Sequence, residues 1–187
     1  MAAAMALRIS TLRKARGFTF DELSKRADVS KGTLVQIEQG AANPSISTLC
    51  RLAATLGASV ADLVAPTDEA KSAVNLVMAD EARQLWTGPK GGSAVLLAGT
   101  KGPDMLEMWK WQLKSGERFD AVSHGRGTRE IIYVTSGKLL LEVKEERTII
   151  AAGVTAIALT DRPHSYSNPG KSPVRFIMTV DEPAASS

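Results

Sequence analysis

Apolar positions recur at helical spacing over the first third of the chain and at strand spacing over the rest, so the pattern divides it in two. Met5, Ile9 and Leu12 fall at i, i+4 and i+7, which predicts an amphipathic helix ending at Gly17. Residues 18–40, FTFDELSKRADVSKGTLVQIEQG, read as two short helices around a tight turn. Thr19 opens the first as an N-cap, Glu22 completes a capping box, and Leu23 and Ala27 supply the inward face. The chain turns through Asp28 and Val29 to a second N-cap, Ser30. Leu34 and Ile37 then recur at helical spacing, and Gly40 ends the helix where positive φ is needed. Asn43, Pro44 and Ser45 mark a loop and cap, Leu49, Leu52, Ala53 and Leu56 form the next stripe, and Gly57 stops it. Ser59 with Asp62 caps a last turn containing Leu63, giving five helices in all.

From about Val74 the periodicity changes to short apolar runs separated by Gly, Pro and Asn, the signature of an antiparallel sandwich or barrel. SAVLLAG, DMLEMWKWQL, EIIYVTS, KLLLEVK, RTIIAAG, VTAIAL and VRFIMTV are the clearest strands. In the second, alternation places Met105, Glu107, Trp109, Trp111 and Leu113 on one face, which is either core or the wall of a pocket. The stretch APTDEAKS has linker composition, so the expected organisation is a helical domain over 1–65, a linker over 66–73 and a β domain over 74–187.

Charge sharpens this picture modestly. Residues 1–65 hold eight Lys or Arg against five acids, and the remainder holds fifteen of each sign, so the whole net charge of +3 sits on the helical domain. A basic domain favours the phosphate backbone through counterion release, although a solvated helix surface gives the same count. Lys31, Gly32, Thr33 and Gln36 point outward on the second helix of the pair, which has the width to enter the major groove, where Lys and Gln read base edges. With Thr19, Ser30 and Asn43 they form the expected DNA-facing set. No apolar run is long enough to span a bilayer and the start lacks a signal-peptide core, so a cytoplasmic protein is expected. The single Cys50 lies on an apolar helical stripe and reads as a small buried hydrophobe.

The pieces LRKARGFTFDELSKRADVS, LVQIEQG and NPSISTLCRLAATLGAS resemble the helix-turn-helix domain of the phage-repressor and Cro type, also called the xenobiotic-response-element family. The resemblance implies a lambda-repressor-like five-helix fold, and pairing of Arg13 on the first helix with Glu38 near the end of the third. The alternative is a helical packing module that never touches DNA.

The two histidines stand in SHGRGTREIIYVTSG and DRPHSYSN, which resemble the paired motifs of the cupin superfamily. Gly116, His124, Glu130 and Gly137 match the first motif; Gly153, His164 and Asn168 match the second. The resemblance implies a double-stranded β-helix, or jelly-roll-like, barrel over roughly residues 90–182. Two positions depart from the pattern: Arg126 stands where the motif has a second His, and Val154 where many members have Asp. What remains is His124, Glu130 and His164, a two-His, one-carboxylate set suited to Zn, Fe or Ni. Alternatively the site is metal-free, with the two His and Glu130 acting as hydrogen-bond partners for a small molecule or for each other, since the Arg126 guanidinium can occupy the space and repel a cation.

The expected function is sequence-specific transcriptional regulation. The helical domain binds a double-stranded operator as a homodimer, and the barrel senses a small-molecule effector, a small carboxylate or amino acid. The expected pocket combines Trp109, Trp111, Arg126, Tyr133 and Tyr166 with the two His and Glu130. Two other readings stay open: a non-haem iron cupin oxygenase carrying a helix-turn-helix domain, and a DNA-binding module that senses nothing. The chain is otherwise expected not to be an enzyme, because no further acid, base or nucleophile arrangement is visible.

Overall fold

The local signals in the first third of the chain act as expected. The computed structural model describes residues 2–64, 73–101 and 104–183; the expected linker lies outside them except for its last residue. Helices α1 (Ala2–Ala15), α2 (Phe20–Ala27), α3 (Lys31–Glu38), α4 (Ile46–Leu56) and α5 (Val60–Val64) follow one another. Thr19 accepts from the Glu22 N–H while the Glu22 side chain accepts from the Thr19 N–H, so both members of the capping box satisfy an orphan amide. Asp28 ends α2 in the left-handed region at φ 51°, a conformation Asp tolerates better than most residues. Ser30 and Ser45 cap α3 and α4 through the Thr33 and Thr48 amides. The stripes meet in one interior, where Ile9, Leu23, Leu34, Ile37, Leu52, Leu56 and Leu63 are wholly buried.

One polar device joins α1 to α3. Arg13 Nε and Nη2 donate to the two Glu38 carboxylate oxygens at 2.6 and 2.9 Å, Nη1 donates to the Phe18 carbonyl at 2.9 Å, and the guanidinium lies over the Phe20 ring. The expected Arg13–Glu38 pair therefore forms, buried and bidentate.

The rest of the chain forms two antiparallel sheets from β1 (Arg83–Thr87), β2 (Ser93–Gly99), β3 (Met105–Leu113), β4 (Arg118–Ala121), β5 (Arg129–Ser136), β6 (Lys138–Val143), β7 (Glu146–Ala151), β8 (Thr155–Leu159), β9 (His164–Ser167) and β10 (Val174–Glu182). Six strands run in the order β1-β2-β3-β10-β5-β8 and four in the order β4-β9-β6-β7, so each sheet interleaves early and late strands. Regular β structure begins at Arg83, later than the apolar pattern from Val74 predicts; the short strands β1, β4 and β9 are not among the expected runs.

Alternation along β3 buries Met105, Glu107, Trp109, Trp111 and Leu113 on one face, as expected. Trp111 is central to this interior: it stacks on Phe176 with centroids 5.8 Å apart and touches Trp86, Trp109, Phe119 and Tyr166.

The two domains are docked, which nothing local in the sequence announces. The Ala61 N–H donates to Glu107 Oε1 at 3.1 Å, and Ser59 Oγ donates to the Thr100 carbonyl at 3.0 Å. Gly99 permits the approach: a Cβ there would come within 2.4 Å of the Ala61 Cβ. Among the described residues no helix is long and apolar enough to cross a membrane.

Candidate functional sites

The barrel site is assembled from three places in the chain. His124 sits in the loop after β4, its N–H bonded to the Thr160 carbonyl; Glu130 points inward from β5 and His164 opens β9. Their ligand atoms all lie within 4.8 Å of one another. Glu130 Oε1 is 3.4 Å from His124 Nε2 and 3.5 Å from His164 Nε2, and the imidazoles stack with centroids 5.4 Å apart.

Second-layer contacts orient these groups. Tyr166 donates its hydroxyl to Glu130 Oε2 in a short hydrogen bond, leaving Oε1 for the site. His164 Nδ1 lies 2.8 Å from the Arg162 carbonyl, which can only accept, so Nδ1 carries a proton and Nε2 faces Glu130. Both His164 Nε2 and Glu130 Oε1 are buried without a hydrogen-bond partner. Two inward polar atoms left unsatisfied in an aromatic-walled interior are costly unless something bridges them. The donor set therefore fits a divalent cation bound through two nitrogens and one oxygen.

Electrostatics follow the geometry. Burial alone would push the Glu130 carboxyl up, but the two facing imidazoles outweigh it and hold it down at about 2. Burial likewise disfavours the His124 imidazolium, yet Glu130, with Glu182 and Glu107 behind it, raises that group above its ordinary value. Burial, then the Glu130 carboxylate, push the Tyr166 phenol well above the ordinary range, so its hydroxyl stays a donor.

A cavity of about 40 Å³ opens beside this triad, walled by Trp109, Trp111, Phe119, Tyr166, Met178 and Val180. Trp109, Trp111 and Tyr166 line this cavity. Two expected pocket residues do not, and both readings are corrected. Tyr133 points outward and is 46% exposed, because Glu130, Ile132 and Val134 occupy the inward positions of β5 and strand alternation sends Tyr133 the other way. Arg126 is exposed in the turn between Gly125 and Gly127 and does not line the cavity, so it neither fills the metal position nor faces a ligand there.

Sequence reasoning missed the contributions of the helical domain. Ile46, Ser47 and Cys50 of α4 line the same cavity, as does Glu107 of β3. Burial raises Cys50 strongly, with Glu107, Glu182 and Glu130 adding to it, so Cys50 remains a thiol facing the site. A wider cleft of about 210 Å³ adjoins at Cys50 and His124 and carries Arg26 and Arg51; Arg51 Nε is buried without a partner. Only interdomain docking brings these residues to the barrel, and no sequence signal encodes it.

On the helical domain, Lys31, Gly32, Thr33 and Gln36 are all exposed along α3, with Thr19, Ser30 and Asn43 exposed at its flanks. Some of these groups are already engaged: Thr19 and Ser30 spend their hydroxyls on caps, and Lys31 Nζ pairs with Asp21 at 2.9 Å on the surface. Gln36 and Asn43 project amides to solvent, the group type that reads adenine in the major groove.

Comparison with known proteins agrees with both halves. Residues 4–65 match the family described as a helix-turn-helix domain, and residues 109–180 the family described as a cupin domain. The chain is 43% identical over 58 residues to the uncharacterized HTH-type transcriptional regulator y4dJ of Sinorhizobium fredii, spanning 31% of this chain and 75% of that protein. It is 25% identical over 177 residues to the HTH-type transcriptional regulator SutR of Escherichia coli, spanning 94% of this chain and 93% of that one. A crystal structure of an HTH_3 family transcriptional regulator from Vibrio cholerae superposes with a TM-score of 0.79 over 97% of each chain at 24% identity, which shows a shared two-domain fold. The chain accordingly belongs to the helix-turn-helix transcriptional regulators, with a cupin domain following the DNA-binding domain.

Proposed function

We propose that the barrel is a sensor whose occupancy changes how the helical domain binds its operator, and that the sensing centre holds a divalent cation on His124, Glu130 and His164. The observation that carries this reading is the pair of buried atoms Glu130 Oε1 and His164 Nε2, without a hydrogen-bond partner and facing each other at 3.5 Å, with Glu130 and His124 at the cavity wall. Bound there, such a cation supplies the positive charge that Arg126 does not, so a small carboxylate or amino-acid effector remains the best chemical match. The protein's own groups do the rest: Tyr166 holds Glu130 Oε2 and so orients Oε1, the Arg162 carbonyl fixes the His164 ring, and Trp109 and Trp111 give the cavity apolar walls.

Operator reading is assigned to α3, with Gln36 and Lys31 addressing bases and Thr19, Ser30, Gly32, Thr33 and Asn43 near the backbone. One such domain covers few base pairs, so two half-sites and a two-fold dimer are expected. A surface suited to the second copy is the outer face of the six-stranded sheet. Met108, Thr179, Ile131 and Ile157 stand side by side in register across β3, β10, β5 and β8, and Ile157 is 74% exposed. With Leu106, Tyr133 and Leu159 around it, this strip is roughly 15–20 Å wide at ~4.8 Å per strand, the scale a standard interface uses.

The test is metal analysis of the purified protein together with a mobility shift on a duplex selected from random sequence. Retained Zn, Fe or Ni that is lost on Glu130→Gln, with operator affinity changing on chelation, is the expected result. Full operator binding indifferent to chelation and to Glu130→Gln would count against the sensor. A second reading, an iron oxygenase, draws on the same triad, since two His and one carboxylate leave open coordination positions. Oxygen consumption by the iron-loaded protein with a carboxylate substrate would favour it.

A further inference from the structure

The cavity beside the triad is small in itself, with the wider cleft adjoining it at Cys50 and His124. At about 40 Å³ it has room for roughly three waters, each needing ~10–15 Å³ of such space. Its walls are not of one kind. The barrel side is rigid sheet, with Trp109 and Trp111 held in an aromatic cluster. The remaining side is α4 of the DNA-binding domain, contributing Ile46, Ser47 and Cys50. Among the described residues, the polar ties beside that side lie on α5 and the turn before it: the Ala61 N–H on Glu107 and the Ser59 hydroxyl on the Thr100 carbonyl, with the close Gly99–Ala61 approach next to them. Glu107 itself lines the cavity while gripping α5, its burial offset by the Ala61 and Val60 backbone amides and the Trp109 indole N–H.

We infer that α4 is the roof of the effector site, and that Ile46, Ser47 and Cys50 are ligand-contacting residues supplied by the DNA-binding domain. The ligand class is a carboxylate with a short apolar tail: the head lies toward His124 and Glu130, the tail between Trp109, Trp111 and Ile46. The inference rests on the sensor reading above and deepens it. A tail filling the space between Trp109, Trp111 and Ile46 presses on α4, and α4 is tied to α3 through α2, against which both helices pack. Effector size is thereby converted into displacement of the reading helix, and the ligand acts through its unequal affinity for the docked and lifted arrangements.

Cys50 is the only cysteine in the chain, which makes the roof directly testable. The full-length protein is modified with methyl methanethiosulfonate, which adds a methylthio group, or with benzyl methanethiosulfonate, which adds a bulky apolar wedge. Cys50→Ser serves as the unreactive control and Cys50→Trp as a genetic wedge should the thiol resist labelling. Amide exchange at Ala61, whose N–H bonds Glu107, reports docking. The benzyl adduct or Cys50→Trp should speed that exchange about tenfold or more, and the methyl adduct should leave it within about twofold. A folded protein carrying either wedge with unchanged Ala61 exchange overturns the roof. Because the wedge needs no effector, the sensor reading is judged separately. Accelerated exchange with unaltered affinity for the selected duplex would overturn the coupling of cavity to operator while leaving the roof standing.

Discussion

Removing Glu38 tests whether the polar clamp between α1 and α3 holds α3 in place. Glu38→Ala leaves the Arg13 guanidinium facing a void, with its Phe18 carbonyl bond and its place over Phe20 intact. Two charge-assisted hydrogen bonds at 2.6 and 2.9 Å disappear, each worth roughly 1.5–3 kcal/mol. The side chains of Arg13 and Glu38 are only 10% and 6% exposed, so solvent recovers little of the loss. A cost of about 3 kcal/mol is expected, the lower edge for breaking a buried pair. Arg13→Met should cost somewhat more, because it also abandons the Phe18 carbonyl and strands a buried carboxylate. Arg13→Met with Glu38→Leu should cost less than the sum of the single changes by about 2 kcal/mol or more, since neither charge is then left unpaired. Urea unfolding followed by helical circular dichroism and by tryptophan emission separates the domains, because Trp86, Trp109 and Trp111 all lie in the barrel. The circular dichroism transition should shift first. Single substitutions each costing under about 0.5 kcal/mol, or strictly additive costs, would refute the reasoning.

Gln36→Ala should lose about 1–3 kcal/mol of discrimination between the selected duplex and random DNA; equal weakening on both in a mobility shift would remove Gln36 from base reading. Glu117 accepts from the Lys90, Gly92 and Lys114 amides, and although burial opposes its charge, these bonds hold its carboxyl below the ordinary range. Its contribution is therefore present above the unfolded carboxyl value of about 4.3 and fades as pH falls through the lower folded value. Glu117→Ala should flatten that part of the stability–pH curve and destabilise the barrel by about 1–3 kcal/mol in thermal unfolding. Asn168 bonds the Leu113 and Ser172 carbonyls and accepts from the Gly170 amide, so Asn168→Ala should cost a similar ~1–3 kcal/mol in the same assay while sparing metal content. Gly137 has φ +80°, and a Cβ there would sit 2.9 Å from the Pro173 carbonyl oxygen; Gly137→Ala should lower barrel stability by at least about 1 kcal/mol.

How much of this was legible beforehand depends on the range over which each signal acts. The caps at Thr19, Ser30, Ser45 and Ser59, the left-handed stop at Gly57 and the inward face of β3 are settled within a few residues, and each appears where the pattern puts it. The triad was found because His124, Glu130 and His164 lie at motif spacing, not because sequence distance reveals their convergence. Short strands such as β4 and β9 escaped notice because four residues cannot establish a period. Tyr133 lies three positions from Glu130 on β5, so strand alternation puts the two on opposite faces and both cannot face the cavity, a conflict the sequence already contained. The helical domain with its exposed α3 and the antiparallel β character of the rest were thus determined by local preference and hydrophobic period, while the barrel class followed from the resemblance of the His motifs to cupins. What only the tertiary structure decided is that α4 closes the barrel cavity, with Cys50 beside His124 and Glu107 gripping Ala61. Those contacts join residues about 46 or more positions apart and arise from the packing of two finished domains, so no window of the chain carries them.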